Sequence, residues 1–167
     1  MELGCGGTIA RWAEEGTDVF TVAFSTAEAS LPPGSARDRL AGECDLALDE
    51  LGVPRENRTV HGLPVRHFDT RRQEVLEHLV RLSREISPDV VLVPSGADLH
   101  QDHAVVHAEA LRAFKHLTLL GYEATWNTIS FPAEAFVVLD ERHVACKWAA
   151  LSRYTSQVEL ARPYFTE

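Results

Sequence analysis

SPDVVLVPSGADLHQDH, residues 87–103, joins an apolar, β-branched run (89–94) to a segment with two imidazoles and two carboxylates in six positions, 98–103. A short run of this kind next to Pro88 reads as a buried strand of a parallel sheet. In open α/β sheets, ligand-binding groups gather beyond the carboxyl ends of such strands, which is where this chain puts His100, Asp102 and His103. Residues 104–117 (AVVHAEALRAFKHL) read as a helix with Val105, Val106, Leu111 and Phe114 available for a buried side. His103 then opens the helix while His100 stays in the loop before it, so the two rings can converge on one point. Imidazole is both the commonest metal ligand and the usual acid or base near neutral pH, and an adjacent carboxylate can fix its tautomer. One His could bind while the other moves protons. The plainer alternative is a polar loop that caps the helix, with Asp102 as the N-cap. His107, one turn after His103, either completes an i, i+4 zinc pair or is a half-exposed helix residue.

Outward from this stretch, strands and helices alternate. Residues 71–86 carry Val75, Leu79, Leu82 and Ile86 at helical spacing and stop before Pro88. Upstream, 4–16 read as a glycine-rich turn feeding a short helix that Gly16 ends, and 19–24 (VFTVAF) read as a buried strand. Residues 39–51 form a helix closed by Gly52, and 59–63 a further strand. Downstream, 120–127 read as a loop with two aromatics, 135–139 as a strand and 141–154 as a helix. The alternation predicts an α/β fold: a three-layer α/β/α sandwich with a mainly parallel, Rossmann-like sheet in one domain over 1–167.

The 167 residues suffice for one substantial core, and 45% hydrophobic content is that of a globular protein. A net charge of −9 with no long Lys/Arg cluster argues against nucleic acid as a partner. Cys5, Cys44 and Cys146 are odd in number and form no C-x-x-C pair, which favours neither a disulfide framework nor a thiolate zinc site. No apolar run approaches the ~18 residues that span a bilayer, and no signal peptide is evident. The expected setting is a soluble protein in a reducing cytoplasm, with homo-oligomerisation left open. The glycines at 4–7 match neither GxGxxG nor GxxxxGK[ST], so close packing of the first helix on the sheet explains them better than a phosphate loop. Glu2 either reaches the strand-end crevice or, more simply, is solvated.

Several segments together resemble the PIG-L/LmbE-type metal-dependent de-N-acetylases: ELGCGGTIA at 2–10, LGV at 51–53, PDVV at 88–91 and the D-x-H-x-D-H cluster at 98–103. LGYE at 120–123, Trp126-Asn127 and Y-x-S-Q at 154–157 add to it. The likeness runs over nearly the whole chain. It implies a hydrolase that removes acetyl groups from N-acetylated amino sugars or related small-molecule amides. In its terms His103 is a zinc ligand, His100 the catalytic acid or oxyanion stabiliser, and Asp102 the support of His100. The family also carries an H-P-D-D motif directly before the glycine signature, supplying two further zinc ligands and a general base. Met1 stands where that motif ends, so the resemblance leads us to expect a chain incomplete at both ends and inactive as it stands. The substrate-side Arg of some relatives falls one position from Arg39, and its role is not carried over. Two other readings remain: a non-catalytic α/β protein with a vestigial metal site, and a nucleotide-binding module built on the 4–7 turn.

Overall fold

The computed structural model describes residues 1–165. In chain order they form α1 (Glu2–Glu14), β1 (Thr21–Ala23), α2 (Arg39–Glu50), β2 (Arg58–Val60), α3 (Arg72–Ile86), β3 (Val90–Pro94), α4 (Gln101–Ala113), β4 (Thr118–Tyr122), α5 (Glu141–Ser152) and α6 (Thr155–Glu159). Two units divide the chain: residues 1–64 with everything from Val137 onward, and residues 65–136. Each unit holds one parallel strand pair joined through a helix, β1–α2–β2 in the first and β3–α4–β4 in the second. A parallel pair needs such a crossover, because a tight hairpin returns the chain antiparallel. The fold is thus mixed α/β with parallel strands, seen among the described residues as two two-stranded sheets. No described helix is long and apolar enough to cross a membrane.

In the first unit α1 and α2 both pack on α5, burying Ile9, Ala10, Ala47, Leu48, Leu51, Ala150 and Leu151. The expected helix stops hold: Gly16 and Gly52 follow α1 and α2 with φ of +85° and +75°, a region glycine enters without a Cβ penalty. The glycine cluster does serve close packing, but not against a strand. A Cβ on Gly7 would lie 2.5 Å from Leu139 Cδ1, and one on Gly6 3.3 Å from Lys147 Cγ. Glu2 is not solvated either. It is buried, accepting 2.8 Å from the Tyr154 hydroxyl and 3.2 Å from the terminal ammonium of Met1.

In the second unit α3 packs on α4 and α4 on β3, with Val75, Leu76, Leu79, Val93, Val105, Ala110 and Phe114 buried. Helix α3 ends at Ser87 in the left-handed region, immediately before Pro88. Helix α4 stops at Ala113, earlier than its apolar spacing suggests, and the region expected to be a loop begins as β4. Gly121 marks the reason: a Cβ there would stand 3.3 Å from Ser95 Cα, so the strand runs close against the chain leaving β3. The strand expected at 135–139 is not formed; those residues carry no regular structure, with Phe136 and Val138 largely exposed.

One buried charge ties the two helices of this unit. Glu109 on α4 has no exposed surface and accepts from Arg72 of α3 at 2.7 Å and from Arg112 at 2.6 Å. Burial pushes its carboxyl up, but the two guanidiniums outweigh that and hold it below the ordinary 4.5. We predict that Glu109→Gln lowers stability in urea titration at pH 7 by about 1–3 kcal/mol, the lower end being favoured because both guanidiniums are more than half exposed. A depressed folded-state value means the contribution is fully present above the unfolded value and is lost as pH falls through the folded one. The gap between wild type and variant should therefore narrow below about pH 4.5 and stay flat above it.

Candidate functional site

Strand β3 delivers the chain to Pro94, and residues 95–100 carry it into α4. This connection is tied down by its own backbone. Ser95 N–H donates to Tyr122 O (3.0 Å), Asp98 N–H to Ser95 O (3.1 Å) and Leu99 N–H to Asn127 O (2.8 Å), while Asp98 bridges to Thr128. The Ser95 hydroxyl oxygen also accepts from Ala97 N–H at 3.1 Å. A loop with this many internal partners can hold side chains to a defined position.

His100, not Asp102, is the N-cap of α4. Its Nδ1 accepts the Asp102 N–H at 3.2 Å, doing with an imidazole what a Ser or Asp oxygen usually does. Because Nδ1 accepts, a neutral His100 carries its proton on Nε2. Asp102 occupies the first turn, where a negative charge suits the helix dipole, and its buried carboxylate is bonded to backbone N–H groups and not to either ring. It accepts from Arg66 N–H (2.5 Å) and Phe68 N–H (3.3 Å), pinning a turn in which Arg66 has a φ of +68°. Asp102 therefore supports His100 through its backbone amide, while its side chain orders residues 66–68.

The second carboxylate, Asp98, has a fully buried side chain. Its Oδ1 accepts the His100 N–H at 2.8 Å, and its Oδ2 lies 2.7 Å from His103 Nδ1. The rings of His100 and His103 stack with centroids 4.6 Å apart and planes 30° from parallel. Burial pushes the His100 imidazole below its usual value, the neighbouring His103 adds to that, and the two aspartates oppose it. The sequence alone assigns Asp98 no role. The signal that could have found it is the D-x-H spacing of an Asx turn with a second His on the first turn of the following helix.

The structure thus brings His100, His103, Asp98 and Asp102 together beyond β3. His107 does not join them: its Nδ1 donates to Pro94 O at 2.8 Å, and its Nε2 would be 2.9 Å from a Cβ on Gly96, so the ring braces the turn. Arg39 is occupied within the first unit by Glu43, Thr155 and Glu159. Among the described residues no three His, Cys, Asp or Glu side chains converge as a metal site. His103 is available as a single nitrogen ligand, its Nε2 without a hydrogen bond among the described residues and its side chain 37% exposed.

Comparison with known proteins bears on the family and the fold. The profile of the family described as PIG-L, GlcNAc-PI de-N-acetylase, matches residues 1–114. An uncharacterized deacetylase, YaiS of Escherichia coli (strain K12), is 27% identical over 166 residues, spanning 93% of this chain and 85% of that protein. The 1D-myo-inositol 2-acetamido-2-deoxy-alpha-D-glucopyranoside deacetylase of Streptomyces griseus is 32% identical over 137 residues, 65% of this chain and 43% of that one. In fold, the zinc-inhibited form of the teicoplanin deacetylase Orf2 superposes with a TM-score of 0.74 at 18% identity, covering 95% of this chain and 81% of its own.

The Asp102 carboxylate is the most easily tested part of the site. Asp102→Ala should lower stability by about 2–3 kcal/mol, since it strands two backbone donors and removes a favourable charge from the first turn of α4. Native-state hydrogen exchange should show the amides of Arg66 and Phe68 losing protection before those of β3.

Proposed function

The chain belongs to the PIG-L family of GlcNAc-PI de-N-acetylases, and from that membership we propose that it is built to hydrolyse the N-acetyl amide of a small amino sugar or related amide. The observation that carries this reading is the stacked His100–His103 pair beyond β3, each ring anchored at Nδ1 and each with Nε2 free of hydrogen bonds among the described residues. Amide hydrolysis needs a proton delivered to the departing nitrogen and charge stabilised on the carbonyl oxygen. A neutral His100, with its proton on Nε2, supplies a hydrogen-bond donor to the carbonyl oxygen, and the same ring becomes the proton donor to the departing nitrogen only after it has taken up a second proton during the reaction. Its depressed imidazole keeps it uncharged near pH 7, so it adds no positive charge that would repel a cation beside His103.

Zinc is the metal this reading calls for, with His103 as one ligand of a site of two His and one carboxylate. The described residues do not offer the other two ligands, so they do not by themselves fit a complete zinc site. That same observation favours the second reading, a non-catalytic role, for this polypeptide taken alone. Three cysteines without a disulfide among the described residues suit a reducing compartment.

We predict that calorimetric titration of the 167-residue polypeptide with zinc shows weak binding, because one imidazole cannot hold the ion as three ligands do. Tight, stoichiometric binding would contradict this. With an H-P-D-D segment placed ahead of Met1, zinc content and release of free amine from an N-acetylated amino sugar should appear together. In that background His103→Ala should lose both, whereas His100→Ala should keep zinc and lose ~100- to 10,000-fold in rate. Zinc lost with His100→Ala and kept with His103→Ala would reverse the two roles, and unchanged rates in both would remove the hydrolase reading of this cluster.

A further inference from the structure

The two rings meet different partners at the same atom. His100 Nδ1 faces a backbone N–H, which can only donate, so that nitrogen must carry the lone pair. His103 Nδ1 faces Asp98 Oδ2 at 2.7 Å, and a carboxylate can only accept, so that nitrogen must carry the proton. Asp98 cannot easily turn away. Its side chain is fully buried, its other oxygen is held by the His100 N–H at 2.8 Å, and its own N–H is bonded to Ser95 O. The carboxylate is thus aimed at His103 by a loop that is itself tied to β4 and residues 127–128.

We propose that Asp98 is a positioning residue that holds His103 in the Nδ1–H tautomer, so that of two stacked rings one presents a bare Nε2 lone pair and the other an Nε2–H. A free histidine side chain favours the Nε2–H form, so His100 keeps the ordinary tautomer and Asp98 reverses it in His103. The reversal also strengthens the His103 lone pair, since a carboxylate accepting from one ring nitrogen raises the basicity of the other. The consequence for chemistry rests on the amide-hydrolase reading, in which a lone-pair donor and a hydrogen-bond donor are needed side by side. The tautomer itself does not depend on that reading.

The test is a long-range proton–nitrogen correlation spectrum of the nitrogen-labelled, chelator-treated chain at about pH 8, above the usual imidazole titration. His100→Gln and His103→Gln variants assign the two rings. In wild type, His103 should show a pyrrole-like Nδ1 and a pyridine-like Nε2, with His100 showing the opposite. In Asp98→Ala, the His103 Nε2 signal should move to the pyrrole-like region while His100 stays as it was. A purely structural role for Asp98 would lower the melting temperature and leave the His103 tautomer unchanged in the variant, which would overturn the proposal. If Asp98→Ala does not fold, the wild-type spectrum decides alone, and a predominantly Nε2–H His103 overturns it. Since no substrate or metal is present, failure here leaves the hydrolase reading to its own test.

Discussion

A carboxylate with no exposed surface must find its hydrogen-bond donors inside the protein, and for Asp98 both donors belong to histidines: the backbone of His100 and the ring of His103. Left without either, it would be a costly buried charge. This constraint sets where the loop after β3 runs and how far apart the rings lie. The ties of Ser95 to Tyr122 and of Leu99 to Asn127 hold the same loop from the side of β4. Asp102 works in the same way one turn along, trading its carboxylate for the N–H groups of Arg66 and Phe68 while its own N–H caps onto His100. Two buried aspartates thus organise both rings.

The rest of the second unit gives this arrangement something rigid to stand on. Val93 and Val105 are buried where β3 meets α4, His107 braces the Pro94–Gly96 turn, and Glu109 clamps α3 to α4 through Arg72 and Arg112. Gly121 lets β4 approach the loop closely enough for its backbone bonds to reach. Chemistry placed on such a junction inherits the precision of the strand and the helix, not the freedom of a loop.

Much of this was legible in the residues. The β-branched run before Pro94, the helical spacing of Val75 and Leu79, and the left-handed positions at Gly16 and Gly52 all follow from local rules, and the corresponding elements are where those rules put them. What failed was non-local. Strand β4 is short and contains a glycine, so its sequence reads as loop until the close approach of Ser95 is known. Residues 135–139 have strand-forming side chains but no neighbour to pair with. At the site, the types His100, Asp102 and His103 and their place after β3 could be read directly. The bonding could not: which aspartate takes which partner depends on residues 66–68 and 127–128, far away in sequence.

Asp98 and Asp102 pre-assemble the two imidazoles beyond β3 in the chain itself. A nuclear Overhauser spectrum of the chelator-treated protein tests it most directly, through ring protons of His100 and His103. With centroids 4.6 Å apart, direct cross-peaks between the two rings should be present, alongside contacts from the His103 ring to the 98–100 backbone. Rings that show no cross-peak to each other, in a chain whose β3–β4 pairing is intact, would contradict the account.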